Sequence, residues 1–253
     1  MPGSMFDALA EDYDAARPSY PDGTYQALEN VAGPLAGQLV LDGGAGTGIA
    51  TRQLAARGAR TVALDIGERM LRRAQARSPD SCFLLADGNA IPLRDGCVDL
   101  ACFAQSWHWF DPGPAIAEIA RVLRPGGYWA AWWNHEWADG EEWFDAYQDL
   151  LESSCPGYAR EHRDPSWSEE FIVRSGQFEP AAESVVRWTR TLSVREWLTY
   201  ERSKSYVGRL PPAGRERLLS RIAGVTGERF PGGQMSVPYR TRLRMARRLS
   251  PPP

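Results

Sequence analysis

Lysine is almost missing from this sequence. Lys204 stands alone, and the basic residues are otherwise almost all arginine. That skew reads as a base-composition bias and carries no functional weight. The formal net charge is −3, so the cationic surplus of a dedicated nucleic-acid binder is absent. The four cysteines (Cys82, Cys97, Cys102, Cys155) show no C-x-x-C spacing and no histidine at ligand spacing, which argues against a metal centre. Three of them fall in or beside apolar runs, where free cysteine behaves as a small hydrophobe. No basic-then-apolar leader opens the chain, and no apolar run approaches the roughly 20 residues that span a bilayer. A cytoplasmic protein without metal or membrane partner is expected, as monomer or homodimer.

What is present is an ordinary globular chain of 253 residues, enough for one large domain or one domain with a substantial insertion. From residue 38 to about 134, short apolar runs alternate with helical patterns. Strands are expected at 38–42, 61–65, 82–86, 98–104 and 127–133, with helices at 47–57, 67–77 and 112–123. Asp111 is a candidate N-cap for the last helix, and the turn R-P-G-G at 124–127 should separate it from its strand. Such alternation specifies a doubly wound α/β fold with a mostly parallel sheet.

After residue 138 the pattern changes. An amphipathic helix is expected over 140–154 and a shorter one around 168–175. A β-like run at 182–192 precedes Ser193 and Glu196, a capping-box pair opening a helix through about 204. Another helix should run from Pro211–Pro212 to about 227, and 235–247 alternates like a last strand. In that strand Tyr239, Thr241, Leu243 and Met245 share one face and Arg240, Arg242 and Arg244 the other, which reads as a solvated face.

The chemistry concentrates at "LVLDGGAGTG", residues 39–48, where a buried strand breaks into glycine behind Asp42. In an open α/β sheet, ligands bind outside the carboxyl ends of the strands. A dinucleotide would place its pyrophosphate on the helix that follows. It calls for G-x-G-x-x-G, and the match from Gly46 lacks the last glycine, while the charge of Asp42 would oppose a diphosphate. S-adenosylmethionine carries an ammonium and a sulfonium instead, which a strand-end carboxylate suits. Asp65 ends the next strand, where it could bond ribose hydroxyls, and Asp87 follows the third, where it could meet the adenine edge.

Five segments in order, "LDGGAGTG", "VALDIGERML", "ADGNAIPL", "FAQSWHWFD" and "RVLRPGGYWAAW", resemble the motifs of class I S-adenosylmethionine-dependent methyltransferases. The small-molecule branch, similar to trans-aconitate methyltransferases, is the nearest likeness. Gly43 departs from it, since the family more often has an apolar residue there. The resemblance implies a seven-stranded Rossmann-like sheet in the order 3-2-1-4-5-7-6, with an antiparallel last strand and a helical cap. Its divisions would be an N-terminal cap segment (1–37), a cofactor-binding core (38–138), a helical cap insertion (139–177) and the last two strands (178–253) with a helical insertion at 194–229.

The same resemblance implies a cofactor site of Tyr13, Arg17, Tyr20, Asp42, Gly44, Ala45, Gly46, Gly48, Asp65, Ile66, Met70, Asp87, Gly88, Asn89, Ala90, Gln105 and Ser106. Tyr13 and Arg17 would meet the methionine carboxylate, Ile66 and Met70 would flank the adenine, and Asn89–Ala90 would lie near its amine. Alternatively, 6–31 is simply a helix pair packed on the sheet.

His108, in the loop after the fourth strand, could take a proton from an acceptor hydroxyl or could merely orient that loop. His135 is a second candidate base, and His162 lies in a polar stretch where solvation is expected. Of the ten tryptophans many bracket strands four and five. Trp132 and Trp133 must face opposite sides, so half of this set belongs to the core. Trp107, His108, Trp133, Trp137, Trp143, Tyr147 and Trp167 are the candidate acceptor-binding residues.

The expected function is methyl transfer from S-adenosylmethionine to a hydroxyl or carboxylate oxygen of a small molecule, in secondary metabolism. The rivals are N-methylation of an amine or amino acid and a cofactor-binding protein repurposed for non-methylating chemistry.

Overall fold

The computed structural model describes residues 17–160 and 167–250. Its elements in chain order are α1 (Asp22–Ala32), β1 (Leu39–Gly43), α2 (Ile49–Ala55), β2 (Arg60–Asp65), α3 (Glu68–Arg77), β3 (Cys82–Leu85), β4 (Val98–Ala104), α4 (Pro112–Val122), β5 (Leu123–Glu136), α5 (Glu142–Ser154), α6 (Trp167–Arg174), β6 (Phe178–Ser193), α7 (Val194–Arg202), α8 (Ser205–Gly208), α9 (Pro212–Arg229) and β7 (Gln234–Arg248).

The sheet order is β3-β2-β1-β4-β5-β7-β6, as the resemblance implies. Strands β1 to β5 pair in parallel, with Asp42 opposite Ala63 on one side and Cys102 on the other. Strand β7 runs the other way. Arg248 meets the carbonyl of Leu123 at the start of β5, while the Thr241 hydroxyl donates to Asn134 Oδ1 near its end, 2.6 Å.

Two compact units divide the chain. One comprises Met1–Pro18, His135–Asp164 and Arg187–Arg240, and the other Ser19–Asn134, Pro165–Val186 and Thr241–Pro253. The second holds β1 to β4 and most of β5, with apolar cores on both faces of its sheet. One face gathers Leu41, Phe103, Ile116, Ile119, Trp129 and Trp133, and Ile172 of α6 joins it. The other gathers Tyr25, Leu28, Val40, Leu54, Leu100 and Trp132. Trp132 and Trp133 thus lie on opposite faces, as a strand period of two requires. The first unit has its own core, built from Trp143, Phe144, Tyr147, Trp197, Ile222 and Tyr239.

Local signals account for the element starts. Asp111 accepts a hydrogen bond from Gly113 N and Pro112 fills the first helical position of α4. At α7, Ser193 Oγ accepts from Glu196 N at 3.1 Å and Glu196 Oε2 from Ser193 N at 2.7 Å, completing the box.

Two expectations need correction. R-P-G-G at 124–127 is not a turn ahead of the strand, because β5 begins at Leu123, directly after α4. The extra residues are absorbed as an irregularity of register: Val98 pairs with Leu123, and pairing resumes at Leu100 with Tyr128. The arginine face of β7 is not merely solvated either. Arg242 and Arg244 both pair with Glu183 of β6, Arg242 at 3.0 Å, and the Arg240 guanidinium lies 3.3 Å from the Trp137 ring centre. One carboxylate on the neighbouring strand, Glu183, thus pairs with two of the three arginines.

Candidate active site

The glycine turn after β1 is tied to the end of β2. Gly44 N and Ala45 N donate to Leu64 O at 2.8 and 3.0 Å, and Gly46 N donates to Asp65 Oδ2 at 2.8 Å. Gly67 N binds the other oxygen, Oδ1, at 2.7 Å. Gly44 and Gly46 sit at φ +67° and +56°, a region that L side chains rarely adopt. At Gly44 a Cβ would also come within 2.6 Å of Ser106 Cβ, whereas at Gly46 it would meet nothing within 4 Å. Space beside Gly46 is what close approach of a ligand to backbone requires. Gly48 caps α2 at its start.

The departure at Gly43 has a steric cause. The Phe103 ring of β4 covers this position so closely that a Cβ would lie 2.4 Å from its Cε1. Ser106 Oγ donates to the Gly43 carbonyl at 2.5 Å, which fixes the β4 loop against the β1 turn.

Asp42 is fully buried at the end of β1. Its Oδ2 accepts from the Thr51 hydroxyl at 2.6 Å, and Oδ1 has no hydrogen-bond partner. Burial pushes its pKa up to about 7, against the opposing bond from Thr51. A buried carboxylate oxygen without a donor is a seat for a cation or a hydrogen-bond donor from a ligand.

A second orphaned acceptor is Asn89 Oδ1, after β3, where Asn89 N donates to Asp87 Oδ1 at 2.9 Å. Asp87 and Ala90 are exposed beside it. Gly88 is pressed by Phe110, whose Cε1 would lie 2.0 Å from a Cβ there. At the ends of β2 and β3 two large apolar side chains face solvent: Ile66 is 52% exposed and Leu85 58%. Exposed apolar side chains at two adjacent strand ends and an unpartnered amide oxygen after β3 suit a flat, apolar heterocycle with an amino edge. Met70, by contrast, is buried in α3. These acceptors fit S-adenosylmethionine: Asp42 Oδ1 could face a cation, Asp65 could accept from a diol and Asn89 Oδ1 could accept from an amino edge.

The loop after β4 starts with Gln105 at φ +58°, the one non-glycine residue with positive φ among the described residues. Its amide hydrogen donates to Trp132 O at 2.9 Å and its side chain to Asn134 O at 3.1 Å. These bonds hold a conformation that costs of order 1 kcal/mol, a kind of strain that gathers at functional sites. Trp107 is buried against Phe103, Phe110 and Trp129, while His108 and Trp109 are exposed. Trp133 Nε1 donates to His108 Nδ1 at 3.3 Å.

Tyr20 is buried, edge-on to Trp132 with ring centres 5.7 Å apart, and its backbone bonds Gln53. Tyr13 and His162 lie outside the described residues, as does the side chain of Trp167. In the other unit, Arg17 donates to Ser203 O at 3.2 Å and lies over the Tyr200 ring. His135 and Glu136 close β5 there, and Trp137 carries Arg240 on its face. Trp143 and Tyr147 are buried with Trp197.

That unit also holds a group the sequence did not single out. Lys204 Nζ lies 2.9 Å from Glu136 Oε1, 2.7 Å from Glu201 Oε1 and 2.9 Å from the Tyr147 hydroxyl, all buried. Burial opposes its charge, but the two carboxylates outweigh that and hold Lys204 protonated. Thr51, Leu85 and Phe110 were missed as well. Leu85 had a signal as an apolar strand end two residues before Asp87, and Phe110 lies within the segment "FAQSWHWFD".

Known proteins resemble this chain. A family model described as a methyltransferase domain matches residues 41–131. An uncharacterized methyltransferase of Mycobacterium tuberculosis is 33% identical over 217 residues, 86% of this chain and 83% of that one. A malonyl-[acyl-carrier protein] O-methyltransferase of Serratia marcescens is 31% identical over 175 residues, 62% of this chain and 67% of that one. Among solved structures, a chain from Anaeromyxobacter dehalogenans assigned as a type II methyltransferase aligns with a TM-score of 0.73 at 27% identity, covering 93% of this chain and 99% of that one.

Proposed function

The chain belongs to the class I S-adenosylmethionine-dependent methyltransferases, and from that premise we propose that it methylates an oxygen of a small-molecule acceptor, in the biosynthesis of small metabolites. The observation that carries this reading is the loop after β4. There an exposed imidazole, His108, sits between the indoles of Trp109, with ring centres 4.9 Å apart, and Trp133. One polar group among aromatic surfaces suits a small, partly apolar acceptor. A relative named as an O-methyltransferase favours oxygen over nitrogen.

Bound at the turn, S-adenosylmethionine supplies a methyl group activated by its sulfonium. In our reading Asp42 faces its cationic end, Asp65 accepts from its ribose hydroxyls, and Asn89 receives the adenine amine. Gly46 leaves room for close approach. Positioning the acceptor lone pair in line with the sulfonium does most of the work.

The test is direct incubation of protein and S-adenosylmethionine with a panel of carboxylic acids, alcohols, phenols and amines, read by mass spectrometry. Methylated acids or hydroxyls are expected. Methylation confined to amines, or to added RNA or protein, would overturn the reading.

A further inference from the structure

We propose that His108 acts toward the acceptor as a fixed hydrogen-bond donor, its tautomer locked by Trp133, and not as a base. The proposal rests on the methyl-transfer reading above. Trp133 Nε1–H donates to His108 Nδ1 across 3.3 Å. An indole nitrogen only donates, so the imidazole nitrogen it meets carries the lone pair. Neutral imidazole has one N–H, which therefore sits on Nε2.

Trp133 is a stable lock. It is 2% exposed in the core shared by Phe103, Trp107 and Trp129, and its strand neighbour Trp132 anchors the opposite face. Its partner sits on the short helical turn Trp107–Trp109, which Ser106 ties to the β1 turn through Gly43 O. The exposed imidazole is thus held from its buried side through Nδ1, and the nitrogen turned from Trp133 carries hydrogen. Serving as a base through Nε2 would require the proton on Nδ1, where it would face the indole N–H, donor against donor.

The chemistry of the acceptor follows. A donor at this place suits an oxygen already ionised, of which a carboxylate is the common class, since no proton then has to be removed. One carboxylate oxygen forms its bond to the methyl carbon while the carbon–sulfur bond breaks and its electron pair leaves with sulfur. The products are a methyl ester and a neutral thioether. His108 Nε2–H holds the second carboxylate oxygen and orients the first.

Nitrogen-15 NMR of histidine-labelled protein reads the tautomer without any turnover, the His108 signals being assigned by their loss in His108→Gln. The Nε2–H form is expected in the wild type, with the Nδ1–H form gaining population in Trp133→Phe. An Nδ1–H form in the wild type would overturn the lock. Kinetics on the acid that the panel identifies read the role. His108→Gln retains a donor near the Nε2 position and should stay within a few-fold of wild-type kcat/KM. His108→Ala should lose about ten- to a hundredfold, mainly in KM, as expected for one hydrogen bond to a charged group. Glutamine failing as badly as alanine, with kcat rather than KM carrying the loss, would identify a base and overturn the proposal. If no acid or alcohol is methylated at all, the reaction reading fails, and the NMR result decides the lock separately.

Discussion

The buried carboxylate of Asp42 accepts from the hydroxyl of Thr51, which meets Oδ2 at 2.6 Å, while Oδ1 has no donor. With its pKa pushed to about 7 by burial, against 3.8 in the unfolded chain, the folded state keeps a proton that the unfolded chain releases. This group's contribution to stability is complete below about pH 4 and is lost as pH rises through 7, a change of roughly 4 kcal/mol. Asp42→Asn removes the titration. Without ligand, its melting temperature should vary less between pH 5 and 8 than that of the wild type, and at pH 8 it should be the more stable protein. Parallel melting curves for the two would show that Asp42 does not titrate there. At pH 8 the same variant should bind cofactor at least about tenfold more weakly, having lost the charge that faces a cation.

Gly43 and Phe103 form a size-matched pair across β1 and β4. Gly43→Val should destabilise the protein by about 1–3 kcal/mol through overpacking, measured by urea denaturation. Adding Phe103→Ala should recover part of that loss by making room. A double variant no better than the sum of the two singles would show that the ring is not what excludes a side chain.

Lys204 pairs with two buried carboxylates, Glu136 at 2.9 Å and Glu201 at 2.7 Å. Lys204→Met should cost about 3–5 kcal/mol in urea denaturation, because it strands buried charge. Combining it with Glu136→Gln and Glu201→Gln should restore most of that stability. No recovery in the triple variant would locate the cost in packing of the lysine stem instead.

How far the sequence reached can be judged from these residues. The parallel core was legible because each strand is a continuous apolar run and each glycine turn follows one. Asp42, Asp65 and Asp87 could be located at strand ends because each closes an apolar run. Lys204 was not legible: its partner Glu136 lies 68 residues away, and charge type alone does not reveal burial. The pairing of Arg242 and Arg244 depended on Glu183, whose register against β7 no local pattern announces. The R-P-G-G segment looked like a turn because glycine and proline serve bulges as well as turns. The tie between Trp133 and His108 joins a strand to a loop 25 residues earlier, and only the fold brings them together.

Calorimetric titration of S-adenosylmethionine into the wild type and Asp65→Ala tests the cofactor seat most directly. The wild type should bind in the micromolar range, about −8 kcal/mol. Asp65→Ala, confirmed as folded by its melting profile, should lose about 1.5–3 kcal/mol with the hydrogen bonds of a charged acceptor. Unchanged affinity in that variant, or tighter binding of a nicotinamide dinucleotide by the wild type, would contradict the seat described for Asp42, Asp65 and Asn89.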